Sequence, residues 1–544
     1  QPYEEISQKV EDFRAKRITN YLNLLDTVVT QKFETFKLEL IEKRTQLEDF
    51  IAILPTTSEL KIKLEHLIDS GKTNMMELKA ILDHHFAPGS IDVNIMKKID
   101  KDNFSDDEQL PVIYNDAHAA LRGYADSTVE SSLVLSAGMN PRLFSYMEQF
   151  DVFFPTAEGK LQKKIILKVS DYSSAIIQGN LLAKKGLWVS EYRIESGLNC
   201  GGHAFATDGF LLGPILEEFK QKKHELIQST TELLKKALLT KEKVVPEKSL
   251  PLKITVQGGV GTADEHQFLL DYYQVDSVGW GSPFLLVPEA TSVDQKTRDL
   301  LVKAKEEDYY LSTISPLGVP FNTIKGTTNN FFKNQRIEAE KAGSSCPKKF
   351  LALSKEYDPT GSCTASKKYQ DIKLDLLNAR KNEISAKQFH QEFNQITEKS
   401  CLCVGLANSS YIEMGIPIKG QSQGVVICPG PNLAYFSKEV SLFDMLQHIY
   451  GITSDLVPTN RPHFFIKELS LYIDYFKKEI DVFEEATSQQ IKKINQFKIN
   501  LLDGITYYKA LFEKTNYFND LKTTIFQKLN LLELELKSEK AILV

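Results

Sequence analysis

Six short runs of β-forming residues recur along the middle of this chain, at positions 91–96, 133–136, 164–169, 189–194, 253–256 and 277–278. Several have Gly or Ser at their C-terminal end, and helical stretches such as 173–184 and 264–273 lie between most of them. Strand, glycine-bearing loop, helix and strand in that order is the pattern of a parallel α/β fold. In a (β/α) barrel the chemistry collects in the loops that follow the strands. The informative residues are therefore expected immediately after each run.

The two ends read differently. Residues 1–85 are helical, with Ile18, Tyr21, Leu25 and Val28 spaced along one face. Residues 459–544 are helical too, and Ile466, Leu469, Ile473, Phe476, Ile480 and Phe483 repeat in alternating steps of three and four. Such a stripe is first of all a packing face. Pairing between the two helical ends, or with a partner such as a second subunit in a homo-oligomer, is the sharper alternative. A third region, 331–458, is rich in Ser, Lys and Cys and weak in periodicity, so the chain divides into 1–85, 86–330, 331–458 and 459–544.

At 544 residues the chain exceeds what one compact core holds. A net charge of −6 and a pI near 6.0 argue against nucleic acid or anionic lipid as partner. No run of about 18 apolar residues offers a membrane span. Six cysteines in a chain of this length suggest a reducing, cytoplasmic setting rather than a secreted disulfide scaffold. The first residue is Gln1, without an initiator Met, which reads as processing or as a fragment.

Three loops carry the candidate chemistry. The run 189–194 leads into Glu195-Ser196-Gly197-Leu198-Asn199-Cys200-Gly201-Gly202-His203. Two glycines let a backbone approach a ligand closely, and an imidazole held beside them suits proton abstraction. The plainer reading is a glycine-rich turn whose histidine hydrogen-bonds a neighbour. Cys200 reads as a small loop residue rather than a nucleophile, since no separate base stands beside it. Gln257-Gly258-Gly259-Val260-Gly261-Thr262 follows the next run and precedes a helix. Such a turn offers backbone N–H groups and a helix N-terminus to a phosphate. Gly279-Trp280-Gly281-Ser282 ends the run after that. Small residues ending consecutive late strands match the phosphate site that barrels often build there.

Taken in order, these loops resemble those of the nitronate monooxygenases, also called 2-nitropropane dioxygenase-like proteins. The resemblance continues through Ser315-Pro316-Leu317-Gly318-Val319-Pro320-Phe321 and, upstream, through Ile91-Asp92-Val93-Asn94-Ile95 and the loop 135–141. It covers about 86–330 and implies an α/β fold with a (β/α)8, TIM-barrel-like core flanked by helical N- and C-terminal regions. It also implies FMN as cofactor and a small-molecule substrate. By the same resemblance His203 is the base that removes a proton from a small carbon acid. Gly258, Gly259, Gly261, Gly279, Gly281 and Ser282 hold the FMN phosphate, and Gly201 and Gly202 pass close to the ring or substrate. Lys168 hydrogen-bonds the flavin or polarises a substrate oxygen; its plain reading is a solvated rim lysine.

One family feature is missing. The first barrel strand and its Gln-Gly-Gly-Met-Gly-like turn have no counterpart before Ile91, where the sequence is helical. The barrel is then incomplete because the chain is a fragment, because a partner supplies the strands, or because the fold is degenerate. The implied activity is an FMN-dependent oxidoreductase of the nitronate monooxygenase type. A flavin-dependent enoyl reductase and a non-catalytic scaffold are the alternatives. Separately, Cys346, Cys363, Cys401 and Cys403 gather in the third region, and four thiols could hold a zinc ion or an iron–sulfur cluster. Cys428 is uninformative.

Overall fold

The computed structural model describes residues 4–70, 74–97, 99–105, 108–136, 138–199, 208–453, 455–482 and 487–539. Six strands form one sheet: β1 (Asp92–Ile95), β2 (Ser131–Leu135), β3 (Lys163–Val169), β4 (Val189–Glu195), β5 (Lys253–Gln257) and β6 (Ser277–Gly279). Each pairs in parallel with the next, so spatial order equals chain order. A doubly wound sheet reverses its order at a switch point; this one never does, and it advances as a barrel wall does.

Helices make the crossovers. In chain order they are α1 (Phe13–Glu42), which precedes the sheet, then α2 (Asp116–Ala125), α3 (Pro141–Met147), α4 (Tyr172–Ala183), α5 (Leu212–Thr240) and α6 (Ala263–Tyr273). Lys163, Ile165, Leu167 and Val169 of β3 are buried. The apolar ones among them enter the main core together with Leu182 of α4 and Phe219 of α5. Alternate residues turn the other way because side chains on a strand switch faces at every step. That second face carries Asp92, Lys164, Lys168, Glu191, Arg193, Glu195 and Lys253, and most of it lines a cleft of about 1030 Å³. The interior of a closed barrel is packed with branched apolar side chains; a face this charged is tolerable only where water reaches it.

Among the described residues β1 and β6 are each bonded on one side only, so the wall is a half-barrel. The next two strands, β7 (Tyr309–Ser312) and β8 (Phe321–Ile324), make a separate antiparallel pair. The incomplete form of the barrel is thus the one found. Its physical reason is upstream, where the segment that would supply a first strand is helical.

The C-terminal stripe is covered by the chain itself. Ile466, Leu469, Ile473 and Phe476, on a helix α7 (Phe464–Val482), are buried in the main core. The helices α8 (Ser488–Lys514) and α9 (Lys522–Ser538) pack beside α7, and α8 also meets α5. Phe483 lies outside the described residues. On α1 the fully buried side chains are Ala15, Leu22 and Leu40; of the expected face Ile18 packs against the main core and Leu25 and Val28 are half-buried, whereas Tyr21 is 56% exposed. The third region is more ordered than its weak periodicity suggests, with helices Lys367–Ala379, Ala386–Thr397 and Leu402–Glu413. Two of these bury few side chains, although each carries a short apolar stripe, such as Phe389, Phe393 and Ile396.

Candidate functional site

At the C-terminal ends of β3, β4 and β5 three long side chains meet on the cleft face. Glu195 stands opposite Gln257 in the ladder, and Lys168 is in register with Arg193 on the neighbouring strand. Lys168 Nζ lies 2.8 Å from Glu195 Oε1. The same oxygen accepts hydrogen bonds from Asn199 Nδ2 at 2.8 Å and Gln257 Nε2 at 2.7 Å. Lys168 is therefore an ion-paired residue, not the free rim lysine of its plain reading. One step down, Arg193 Nε donates to Glu191 at 2.8 Å and Arg193 Nη2 to Asp92 at 3.0 Å.

The loop after β5 needs its glycines. Gly258 and Gly259 have φ of +105° and +89°, a region that side chains disfavour. A Cβ on Gly258 would sit 2.8 Å from Asn199, and one on Gly259 would sit 2.7 Å from Leu198. On Gly261 it would be 2.8 Å from the Arg461 guanidinium. Three of the loop's carbonyl oxygens are engaged: Gly259 O by Arg461 Nη2 (2.8 Å), Val260 O by Asn432 Nδ2 (3.2 Å) and Gly261 O by His448 Nε2 (2.8 Å). The Gly261 amide donates to Glu265 Oε2 at 2.9 Å. Here the structure departs from expectation, because a carboxylate of α6 takes the Gly261 N–H assigned to a phosphate. By contrast, the amides of Gly259, Val260, Gly281 and Ser282 donate to no group among the described residues. Ser282 Oγ is itself an acceptor, bonded by the Gly430 amide at 2.8 Å. Gly279 lies against Gln257, where a Cβ would meet the side chain at 2.9 Å.

Gly201, Gly202 and His203, with Cys200, lie outside the described residues. Both flanks of their loop converge on one side chain that sequence reasoning missed. Glu468 of α7 accepts from Ser196 Oγ (2.9 Å) and the Gly197 amide (3.2 Å) through Oε1, and from the Leu212 amide (2.9 Å) through Oε2. Burial pushes its carboxyl up to about 7 against these hydrogen bonds. Its signal in the sequence was an acid set between Ile466 and Leu469 on an apolar face. Arg461, Glu265 and Asn432 were missed as well; nothing local marks their network, since Arg461 lies 29 residues from Asn432 and 196 from Glu265.

Among the described residues no group of three or more His, Cys, Asp or Glu side chains converges to hold a metal ion. The zinc ion or iron–sulfur cluster expected at Cys346, Cys363, Cys401 and Cys403 therefore finds no support. No described helix is long and apolar enough to cross a membrane.

No protein-family model matches the sequence, and no curated protein is significantly similar to it. Two solved structures share part of its chain path. One is the enoyl reductase domain of MlnA from the macrolactin biosynthesis cluster of Bacillus amyloliquefaciens, at 14% identity over 75% of this chain and 87% of that one, with a TM-score of 0.37. The other is a FabK mutant from Thermotoga maritima, at 10% identity over 73% and 81%, with a TM-score of 0.34. Superpositions this loose say nothing of chemistry, and the site is read from its own residues.

Proposed function

We propose that this chain is a flavin-dependent oxidoreductase of the nitronate monooxygenase type, with FMN held by its phosphate at the loops after β5 and β6. The observation that carries the reading is the pair of glycine loops on consecutive parallel strands. The Gly259, Val260 and Gly261 carbonyls are taken by protein donors, while the amides of Gly259, Val260, Gly281 and Ser282 have no acceptor among the described residues. Backbone N–H groups of such glycine turns suit an anion. The Gly261 amide is not part of the cradle, and Glu265 is neutralised as a neighbour by Arg461, 2.6 Å away.

The flavin, when bound, supplies an acceptor for an electron pair. The chain supplies the rest. The Lys168 cation is held beside Glu195 at the strand ends, where it can donate to an oxygen of substrate or ring. His203 is assigned the base role by its place after Gly201 and Gly202, and removes the proton from the carbon acid.

The phosphate contact is tested by titrating the protein with FMN and with riboflavin. FMN is expected to bind at least about tenfold more tightly, a difference of roughly 1.4 kcal/mol; equal affinities would remove the loops from the site. His203→Asn should retain FMN and lose turnover, and unchanged turnover would take the base role from His203. Oxygen consumption with a nitronate supports the reading as stated. NADPH oxidation with an enoyl thioester instead would move the chain to the enoyl reductase class.

A further inference from the structure

The cleft on the charged face of the sheet runs the length of the strands, from Lys160 and Pro251 below their N-terminal ends to Gln257 and Gly279 at the glycine loops. Its volume of about 1030 Å³ is far more than an ion needs and suits an organic molecule. The upper end adjoins the loops of the flavin reading. The lower end is built from residues that reading does not use.

A β-bulge shapes the lower end. Ile165 stands opposite Val189, but Ile166 stands opposite Glu191, so Ser190 is an extra residue in β4. A bulge re-aims the side chains around it. Val189 and Tyr192 turn to the main core, while Ser190 and Glu191 both line the cleft. The Glu191 carboxylate is drawn up the sheet, accepting from Arg193 Nε at 2.8 Å and Thr255 Oγ1 at 2.6 Å, two residues that stand opposite each other further along β4 and β5. Ser190 is left behind: its Oγ is buried and has no hydrogen-bond partner among the described residues. A buried hydroxyl without a partner is costly.

Two lysines flank that hydroxyl. Lys253 stands opposite Glu191 on β5, and Lys164 lies on β3, opposite Ser132. Both are exposed to the cleft, and among the described residues neither makes an ion pair or a side-chain hydrogen bond. The other charges of the cleft are engaged. Lys160 pairs with Glu130 at 2.8 Å, Arg193 is held between Glu191 and Asp92, and Asp26 accepts from Thr128 Oγ1 at 3.2 Å. β3 and β5 are two strand spacings apart, about 10 Å, and a lysine is a compact charge on a flexible four-carbon stem. Both ammonium groups can therefore close on one group seated over Ser190. Together they present donors and two positive charges, which a tetrahedral dianion satisfies and a neutral ligand does not.

We propose that the lower end of the cleft binds a small organic phosphate monoester, its phosphate held by Lys164, Lys253 and the Ser190 hydroxyl. The remaining volume takes the organic part. The site lies at the far end of the strands from the glycine loops and does not depend on the flavin reading.

The test uses the full chain at low ionic strength and glycerol 3-phosphate as probe, with glycerol and succinate as controls. An amine-reactive label read by mass spectrometry is expected to modify Lys164 and Lys253 in the free chain. Glycerol 3-phosphate should protect both and leave the exposed Lys235 of α5 unprotected. In calorimetry Lys164→Ala and Lys253→Ala should each weaken binding by about tenfold, as loss of a hydrogen bond to a charged group does. Ser190→Ala should weaken it less. Absence of protection at the two lysines would overturn the proposal, as would equal protection by glycerol. Binding that is unchanged in both lysine variants would place the phosphate elsewhere, the glycine loops included, and succinate bound as tightly as the phosphate ester would refute the ligand class. Should the variants fail to fold, the labelling of the unaltered chain decides alone.

Discussion

Arg461→Met is expected to lower folding stability by about 3–5 kcal/mol, the range for breaking a buried ion pair from one side. Arg461 and Glu265 are 4% and 3% exposed and 2.6 Å apart. The same guanidinium donates to Asn432 Oδ1 at 3.0 Å and to Gly259 O at 2.8 Å. Methionine fills much of the space but leaves a buried carboxylate and a buried carbonyl without their donors. Burial pushes the Glu265 carboxyl up, and the Arg461 guanidinium, with His463 and the Gly261 amide, more than offsets this, holding it below the usual carboxylate range. With a folded value below the unfolded one, this group's contribution is present above the unfolded value near 4.5 and is lost as pH falls through the folded value. Removing the guanidinium reverses the sign, because burial then keeps the carboxyl protonated. The variant's deficit should therefore grow as pH rises from 5 to 8 in urea unfolding. An equal deficit at both pH values would contradict the account of the pair. The Gly258–Gly261 turn should loosen too, and FMN affinity should fall with it.

Glu468→Gln addresses the loop that holds His203. Glu468 is 1% exposed and receives hydrogen bonds from both flanks of that loop. Burial raises its carboxyl to about 7. The sign is opposite to that of Glu265: stability is fully present below the unfolded value near 4.5 and is lost as pH rises through about 7. At about 1.4 kcal/mol for each pH unit between those two values, the loss over that window is on the order of 3 kcal/mol. Glutamine does not titrate, so the variant should lose this slope. Its amide also turns a donor toward the Leu212 N–H, at about 1–3 kcal/mol for the unsatisfied pair. The unaltered chain is thus expected to be the more stable at pH 5, with the gap narrowing or closing by pH 8. Parallel urea-stability curves against pH would remove Glu468 from this role.

The strands were legible because a run of β-forming residues and the glycine or serine that ends it are local. All six were placed to within about two residues as short runs of β-forming residues, several ending in Gly or Ser. The C-terminal stripe was legible as a packing face for the same reason, its period being helical. What escaped was set by distance along the chain. Arg461 reaches Gly259 across 202 residues, and Glu468 reaches Ser196 across 272; neither spacing has a sequence signature. The Gly261 amide was assigned to a ligand because a glycine turn before a helix looks alike whether an anion or its own Glu265 fills it. In the third region Phe389, Phe393 and Ile396 do share one helical face, so the Ala386–Thr397 helix was legible in the spacing and was overlooked.

The central claim is that the loops after β5 and β6 hold a flavin. An absorbance spectrum of the purified chain, before and after heat release of bound small molecules, tests it most directly. Flavin bands and about one released FMN per chain are the expected result. A colourless protein that also takes up no added FMN would contradict the claim.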